Sequence, residues 1–148
     1  MDRVFHSKIS WVFYAVIFLI GACIFYLLWI KIPIFIILAV VLVPFELILI
    51  EGIIHNRYTI TMDGNLELYL GRFFATEIIP IENIVSLHAS HSWETSAAFS
   101  FDRIKIVYIK SYKRKVYVSP VKKKEMVTLL LKMNDRIIID ENLKKILS

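Results

Sequence analysis

Residues 11–30 read WVFYAVIFLIGACIFYLLWI, residues 31–33 read KIP, and residues 34–54 read IFIILAVVLVPFELILIEGII. Between Ser10 and Glu46 the only charged side chain is Lys31. An uncharged apolar run of 18 or more residues is long enough to cross a bilayer. This one is too long for a single span: as one helix it would measure roughly 66 Å, against a hydrocarbon core of roughly 30 Å. A reversal at Lys31-Ile32-Pro33 resolves the mismatch. Lys31 supplies a charge for the headgroups, and Pro33 disfavours a helical Ile32 while suiting the first turn of a new helix. The stretch predicts two antiparallel transmembrane helices, Trp11–Ile30 and Pro33–Ile54.

Working outward, Met1–Ser10 is a short polar start, and residues 55–148 remain for one small domain with its own core. The chain carries a net charge of +5, a mild excess that suits a domain held at an anionic leaflet. Nucleic-acid binding would want a denser basic stripe interleaved with stacking aromatics, and none is visible. Arg3 and Lys8 before the first helix and Arg57 after the second outweigh Lys31 in the turn. The positive-inside rule therefore predicts a multi-pass inner (cytoplasmic) membrane protein with both termini in the cytoplasm. Trp11 at the inner face, and Tyr26 and Trp29 at the outer, fit interfacial anchors. The single cysteine, Cys23, lies in mid-span, so no disulfide framework or zinc spacing exists. Ile20-Gly21-Ala22-Cys23 is spelled like a lipoprotein cleavage box. However, Ile24–Ile30 stays apolar where a mature chain would turn polar, and Gly21 and Ala22 read better as small residues that let two helices approach.

Within the second span, Pro44 should kink the helix, and Glu46 is an intramembrane carboxylate, a candidate functional group by position. Tyr14, on the first helix, is a candidate hydrogen-bond donor to it; the plainer reading is that Glu46 sits near the inner interface and snorkels or stays protonated. From Arg57 the period changes to two. Arg57–Met62 and Leu66–Leu70 alternate around the turn Asp63-Gly64-Asn65. Ala75–Ile79, Ile84–His91, Arg103–Ile109 and Lys115–Val118 are further strands, with a bend at Pro80–Asn83 and a basic turn at Ser111–Arg114. Ser119 and Pro120 read as N-cap and first residue of a helix over Val121–Met133. Three lysines in its first turn, Lys122, Lys123 and Lys124, oppose the helix dipole, so packing must hold it. Arg136–Ile139 suits a short strand and Glu141–Leu147 a last amphipathic turn. The expected fold class is α+β: a helical hairpin, then a small antiparallel β-barrel or sandwich closed by a C-terminal helix.

Four pieces carry a resemblance: Tyr58-Thr-Ile with Asp63-Gly64; Ile78-Ile-Pro-Ile-Glu-Asn-Ile84; Ser96-Ala-Ala-Phe-Ser-Phe-Asp-Arg-Ile104; and Val118-Ser-Pro120. With these, residues 57–133 resemble the bacterial pleckstrin-homology-like (PH-like) domain of small membrane proteins, the YyaB-like group. The chain departs from the common pattern at Ala97-Ala98, where a proline often stands. The resemblance implies a PH-like barrel with a C-terminal helix, joined to one or two spans, and no enzymatic activity. Eukaryotic relatives that bind phosphoinositides use basic residues around the first hairpin loop. Here that loop is Met62-Asp63-Gly64-Asn65, acidic and without Lys or Arg.

The basic clusters Lys113-Arg114-Lys115 and Lys122-Lys123-Lys124 are the candidate contacts to anionic headgroups. Asp102-Arg103 is expected to be an ion pair or a loop anchor. His88, His91 and Glu94 invite a metal, but residues 88 and 91 point to opposite faces of one strand and no carboxylate stands at a zincin spacing. No nucleophile elbow surrounds a serine, and no phosphate-binding glycine loop occurs. The sequence thus predicts no catalytic residues, no metal and no cofactor. The expected partners are the lipid bilayer and a protein partner or second copy, with no nucleic acid. Two alternatives stand beside this reading: a protective factor against a membrane-active peptide, and a small channel or proton-relay component using Glu46.

Overall fold

The computed structural model describes residues 2–90, 100 and 102–147. His91, Glu94 and most of the Ser96–Phe101 segment of the third motif lie outside the described residues. The two apolar stretches form helices α1 (Trp11–Trp29) and α2 (Pro33–His55), and α2 continues through Pro44. Lys31 makes the reversal with a left-handed φ of 59°. The helices pack along Ile20, Ile24 and Leu27 of α1 against Phe35, Ala39 and Leu42 of α2.

Both helices are long and apolar enough to cross a membrane, and only 6% of either apolar window is buried within the protein. They are therefore not core helices of a soluble fold. Trp11, Phe18, Ile34 and Val41 are among the many large side chains left exposed. Leaving such a side chain in water forgoes ~1.5–3 kcal/mol. Ten of them would amount to roughly 15–30 kcal/mol, more than the ~5–15 kcal/mol that holds a typical domain folded. Water is a poor solvent for the surface these two helices present.

The rest of the chain forms two four-stranded sheets. The first has the order β1 (Arg3–His6), β2 (Arg57–Ile60), β3 (Asn65–Tyr69), β4 (Glu77–Pro80), all antiparallel. The polar start is thus not a separate segment: Arg3–His6 pairs with the strand that follows the hairpin, and Phe5 drops into the core at 4% exposure. At the β2–β3 turn the Gly64 N–H donates to Thr61 O, and Gly64 has φ +78°. A type I turn closed by a left-handed glycine gives the hairpin its twist.

A single 3₁₀ turn, Ile81–Asn83, leads to the second sheet. Its order is β7 (Lys113–Val118), β6 (Arg103–Ile109), β5 (Ile84–Ser90), β8 (Ile138–Ile139). β5 carries a register shift between Ile84 and Ser86, and β8 joins it in parallel, where the sequence had suggested antiparallel strands alone. Lys113 and Arg114, expected in a turn, belong to β7 and pair with Ile109 and Tyr108.

Helix α3 (Lys123–Met133) starts later than expected and is not capped by Ser119. Its buried face is Lys123, Met126, Val127 and Leu130, a helical spacing. At its far end the Asn134 side-chain amide donates to Ile81 O at 2.8 Å, which ties the helix to the 3₁₀ turn. A short α4 (Glu141–Leu147) buries Leu143 beside β5. One core joins all these elements, with Tyr58, Leu66, Leu68, Ile79, Leu87, Ile106 and Met126 fully buried.

Candidate membrane interface

Two places tie the sheets to the hairpin, and each lies at the foot of one helix. At the foot of α1 the chain between β1 and α1 pairs with the chain between β7 and α3. The Lys8 N–H donates to Ser119 O at 2.6 Å, and the Val121 N–H donates to His6 O at 3.0 Å. This stitch joins the edge of the first sheet to the edge of the second. Beneath it the buried Tyr58 hydroxyl donates to Ser7 Oγ at 3.1 Å and accepts the Ser119 N–H at 3.2 Å. The Ser119 hydroxyl reaches Ser7 Oγ at 3.1 Å and Lys8 O at 3.2 Å. That network explains the missing helix cap. Ser119 is fully buried in it, so the backbone stays extended through Pro120 and the helix cannot begin there. Burial pushes the Tyr58 hydroxyl above its ordinary pKa, and its serine partners offset only part of this.

The same stitch brings Lys122, Lys123 and Lys124 together with Lys8, three residues before α1. A surface groove of about 490 Å³ runs there, lined by Lys8, Asp102, Val121, Lys122, Lys123, Lys124 and Ile146 among others. The three lysines differ in role. Lys123 is buried on the α3 face and donates a short hydrogen bond to Asp102. Lys8 adds a second cation to Asp102 at 3.6 Å. Partial burial pushes the Asp102 carboxyl up, but the hydrogen bond and charge of Lys123, then Lys8, outweigh it and hold the carboxyl below its ordinary value. Lys122 pairs with Glu125 at 3.3 Å, and Glu125 also meets Arg3 at 3.8 Å. Lys124 is exposed and forms no ion pair among the described residues. Pairing Lys123 with Asp102, and placing Glu125 in the first turn, relieves the dipole conflict that the three lysines pose.

At the foot of α2 a second tie is made. Glu51 sits one helical turn before the end of α2, its carboxylate 3.0 Å from His55 Nδ1. The Arg72 guanidinium lies 3.6 Å from the same carboxylate, and the Arg72 N–H donates to it at 3.4 Å. The neighbouring Gly71 is buried with φ +101°, and a Cβ there would lie 3.2 Å from Glu51 O. The β3–β4 connection is thus held directly against α2.

The other sequence-predicted residues fall elsewhere. Lys113, Arg114 and Lys115 stand at the opposite end of the β6–β7 ribbon from Asp102, about 20 Å away at ~3.3 Å per residue. The two basic clusters are therefore separate. Arg114 folds over its own neighbour, 4.6 Å above the Tyr112 ring and 2.6 Å from its hydroxyl. Asp102 and Arg103 do not pair with each other. Asp102 turns to Lys123 and Lys8, while Arg103 Nε donates to Ser100 O at 2.5 Å.

The candidate Tyr14–Glu46 hydrogen bond does not form. Side chains lean toward the N-terminus of their own helix, which for α2 lies at the turn. Glu46 therefore leans away from Tyr14 and toward Gly21, where its Oε1 would stand 3.1 Å from an added Cβ. Tyr14 is exposed. Gly21 is a small residue for a reason other than helix contact alone: it makes room for a carboxylate. His88 meets Ser86 Oγ at 2.8 Å through its Nε2, and among the described residues no group of three metal-ligating side chains occurs.

Sequence reasoning missed the Ser7–Tyr58–Ser119 network, because 112 residues separate its two serines and no local pattern joins them. The Glu51–His55–Arg72 tie left a fainter signal: an i, i+4 acid–histidine pair at the end of an apolar helix and a glycine directly after an alternating strand. A family model described as bacterial PH domain matches residues 56–134. No curated protein and no solved structure matches the chain.

Proposed function

Because the chain belongs to the bacterial PH domain family, we propose that it is a non-enzymatic membrane protein whose helical hairpin seats a PH-like module on the anionic inner leaflet, where the module binds a protein partner. The hairpin spans the inner membrane, with β1 and the domain together on the cytoplasmic side. One observation carries this reading: the pairing of residues 6–8 with residues 119–121, which puts Lys122 and Lys124 on one groove with Lys8, three residues before α1. A basic side chain at an anionic surface is worth about 1 kcal/mol. Lys8, Lys122 and Lys124 would therefore orient the domain but not hold it; the hairpin does the holding. The surfaces left clear of the bilayer are where a partner has access. Glu46 has less support as a relay, since its carboxylate rests against Gly21 and Tyr14 is turned away.

The test is lysine acylation of the full chain in nanodiscs, read by mass spectrometry. Lys122 and Lys124 should react several-fold more slowly in phosphatidylglycerol discs than in phosphatidylcholine discs, and high salt should erase the difference. Lys113 should react alike in both. Equal rates at Lys122 and Lys124 in the two lipids would overturn the seating of the domain.

A further inference from the structure

The β3–β4 connection, residues 70–76, carries two consecutive aromatics that the fold does not use. Phe73 is 63% exposed and Phe74 46%. In water each would forgo ~1.5–3 kcal/mol of burial, and a turn between two short strands has no internal need for them. Their position supplies one. Arg72, the preceding residue, is fixed to Glu51 by its side chain and by its backbone N–H. Gly71 packs on the Glu51 backbone at a distance only glycine permits. Glu51 lies four residues before the last residue of α2, His55, so at about 1.5 Å per residue it sits roughly 6 Å inside the helix end. The loop is therefore held beside the last turn of an apolar helix, not beyond it. The outward surface of α2 toward that end is also apolar, with Ile54 in the last turn 66% exposed and Leu47 two turns earlier 57%.

We infer that Phe73 and Phe74 insert into the bilayer at the headgroup–acyl boundary, making the β3–β4 turn a third membrane contact beside the two helices. The inference rests on the reading that α1 and α2 span a bilayer. The occupant is lipid because the Glu51 tie holds the aromatic pair beside α2, whose outward side chains are apolar, and fixes its depth. The cation of Arg72 stands beside the pair, an arrangement of basic and aromatic residues that suits an anionic interface. With Lys8, Lys122 and Lys124 at the foot of α1, the turn gives the domain a second point of support at the foot of α2. Two separated supports fix the tilt of the module, which one flexible linker would not.

The test places an environment-sensitive fluorophore on single cysteines in a Cys23→Ser background. The full chain is reconstituted in phosphatidylcholine–phosphatidylglycerol vesicles. Labels at Phe73→Cys and Phe74→Cys should shift to the blue and be quenched more by a spin label near the headgroup than by one near the methyl end of the acyl chain. A label at Phe18→Cys in α1 should be quenched by the deep probe, and one at Tyr112→Cys by neither. Unquenched labels at 73 and 74 with a quenched label at 18 would overturn the inference and leave the spanning helices standing. A blue shift at 73 and 74 without quenching would also overturn it, since a protein surface would then cover them. No quenching at 18 would overturn the spanning reading itself.

Discussion

Gly71→Ala tests whether the domain is locked to α2. Two costs combine at this position. The first is conformational: Gly71 has φ +101°, and an L-residue held at positive φ costs roughly 1–2 kcal/mol. The second is steric. The new Cβ would lie 3.2 Å from both Glu51 Cγ and Glu51 O and 3.4 Å from Glu51 C. The side chain can swing aside, but the helical backbone cannot, and overpacking of this kind costs ~1–3 kcal/mol. Together these predict a loss of about 2–5 kcal/mol, a large share of the ~5–15 kcal/mol that holds a domain folded.

Gly64→Ala is the internal control. It also has positive φ, +78°, but nothing lies within 4 Å of its added Cβ, so only the conformational cost of about 1–2 kcal/mol applies. Pulse proteolysis of the full chain in mild detergent, across a urea series, reads both variants as shifts in midpoint. The predicted order is wild type, then Gly64→Ala, then Gly71→Ala. Should Gly71→Ala lose no more than Gly64→Ala, the β3–β4 connection does not rest on α2, and the depth assigned to Phe73 and Phe74 goes with it.

The remaining predictions concern the stitch at α1 and the pH limits of the domain. Tyr58→Phe leaves the buried Ser119 N–H without the hydroxyl it donates to and should cost about 1–3 kcal/mol in the same proteolysis assay; a neutral effect would refute the network. Asp102 is held below its ordinary value of 3.8, so its contribution to stability is present above that pH and is lost as pH falls through the lower folded value. Asp102→Asn should therefore melt below wild type at neutral pH, and the two should converge in strong acid. Tyr108 is raised from 10.0 to about 12, first by burial and then by its hydrogen bond to the Glu77 carboxylate. Its contribution is complete below pH 10.0 and is lost as pH rises through about 12, so Tyr108→Phe should flatten the alkaline arm of the stability profile.

The legible parts of this chain are those with short-range rules. The two helices follow from residue solvation and one proline, and their bounds at Trp11 and Pro33 agree with the sequence reading. The β2–β3 hairpin follows from a turn whose glycine must be left-handed, and β6 from strict alternation between Arg103 and Ile109. What stayed hidden depends on distant partners. Arg3–His6 is too short to announce a strand, and it becomes one only because the hairpin brings its two flanks together. Ser119 carries a cap signal, yet Tyr58 and Ser7 recruit it, and tertiary hydrogen bonds override the local preference. The candidate site divides in the same way. Basic residues are visible in sequence, but which lysines gather on one groove with Lys8 depends on strand register. Lys123, central in the triplet, proves to be buried and paired with Asp102.

The account stands on the hairpin crossing the membrane with β1 and the PH-like domain on the cytoplasmic side. Single cysteines at Lys8, Lys31 and Lys124 in a Cys23→Ser background, exposed to a membrane-impermeant thiol reagent, read this directly. In intact spheroplasts only Lys31→Cys should react, and Lys8→Cys and Lys124→Cys should react only after lysis. Labelling of Lys124→Cys in intact spheroplasts, or labelling of Lys8→Cys and Lys124→Cys on opposite sides, would contradict the account.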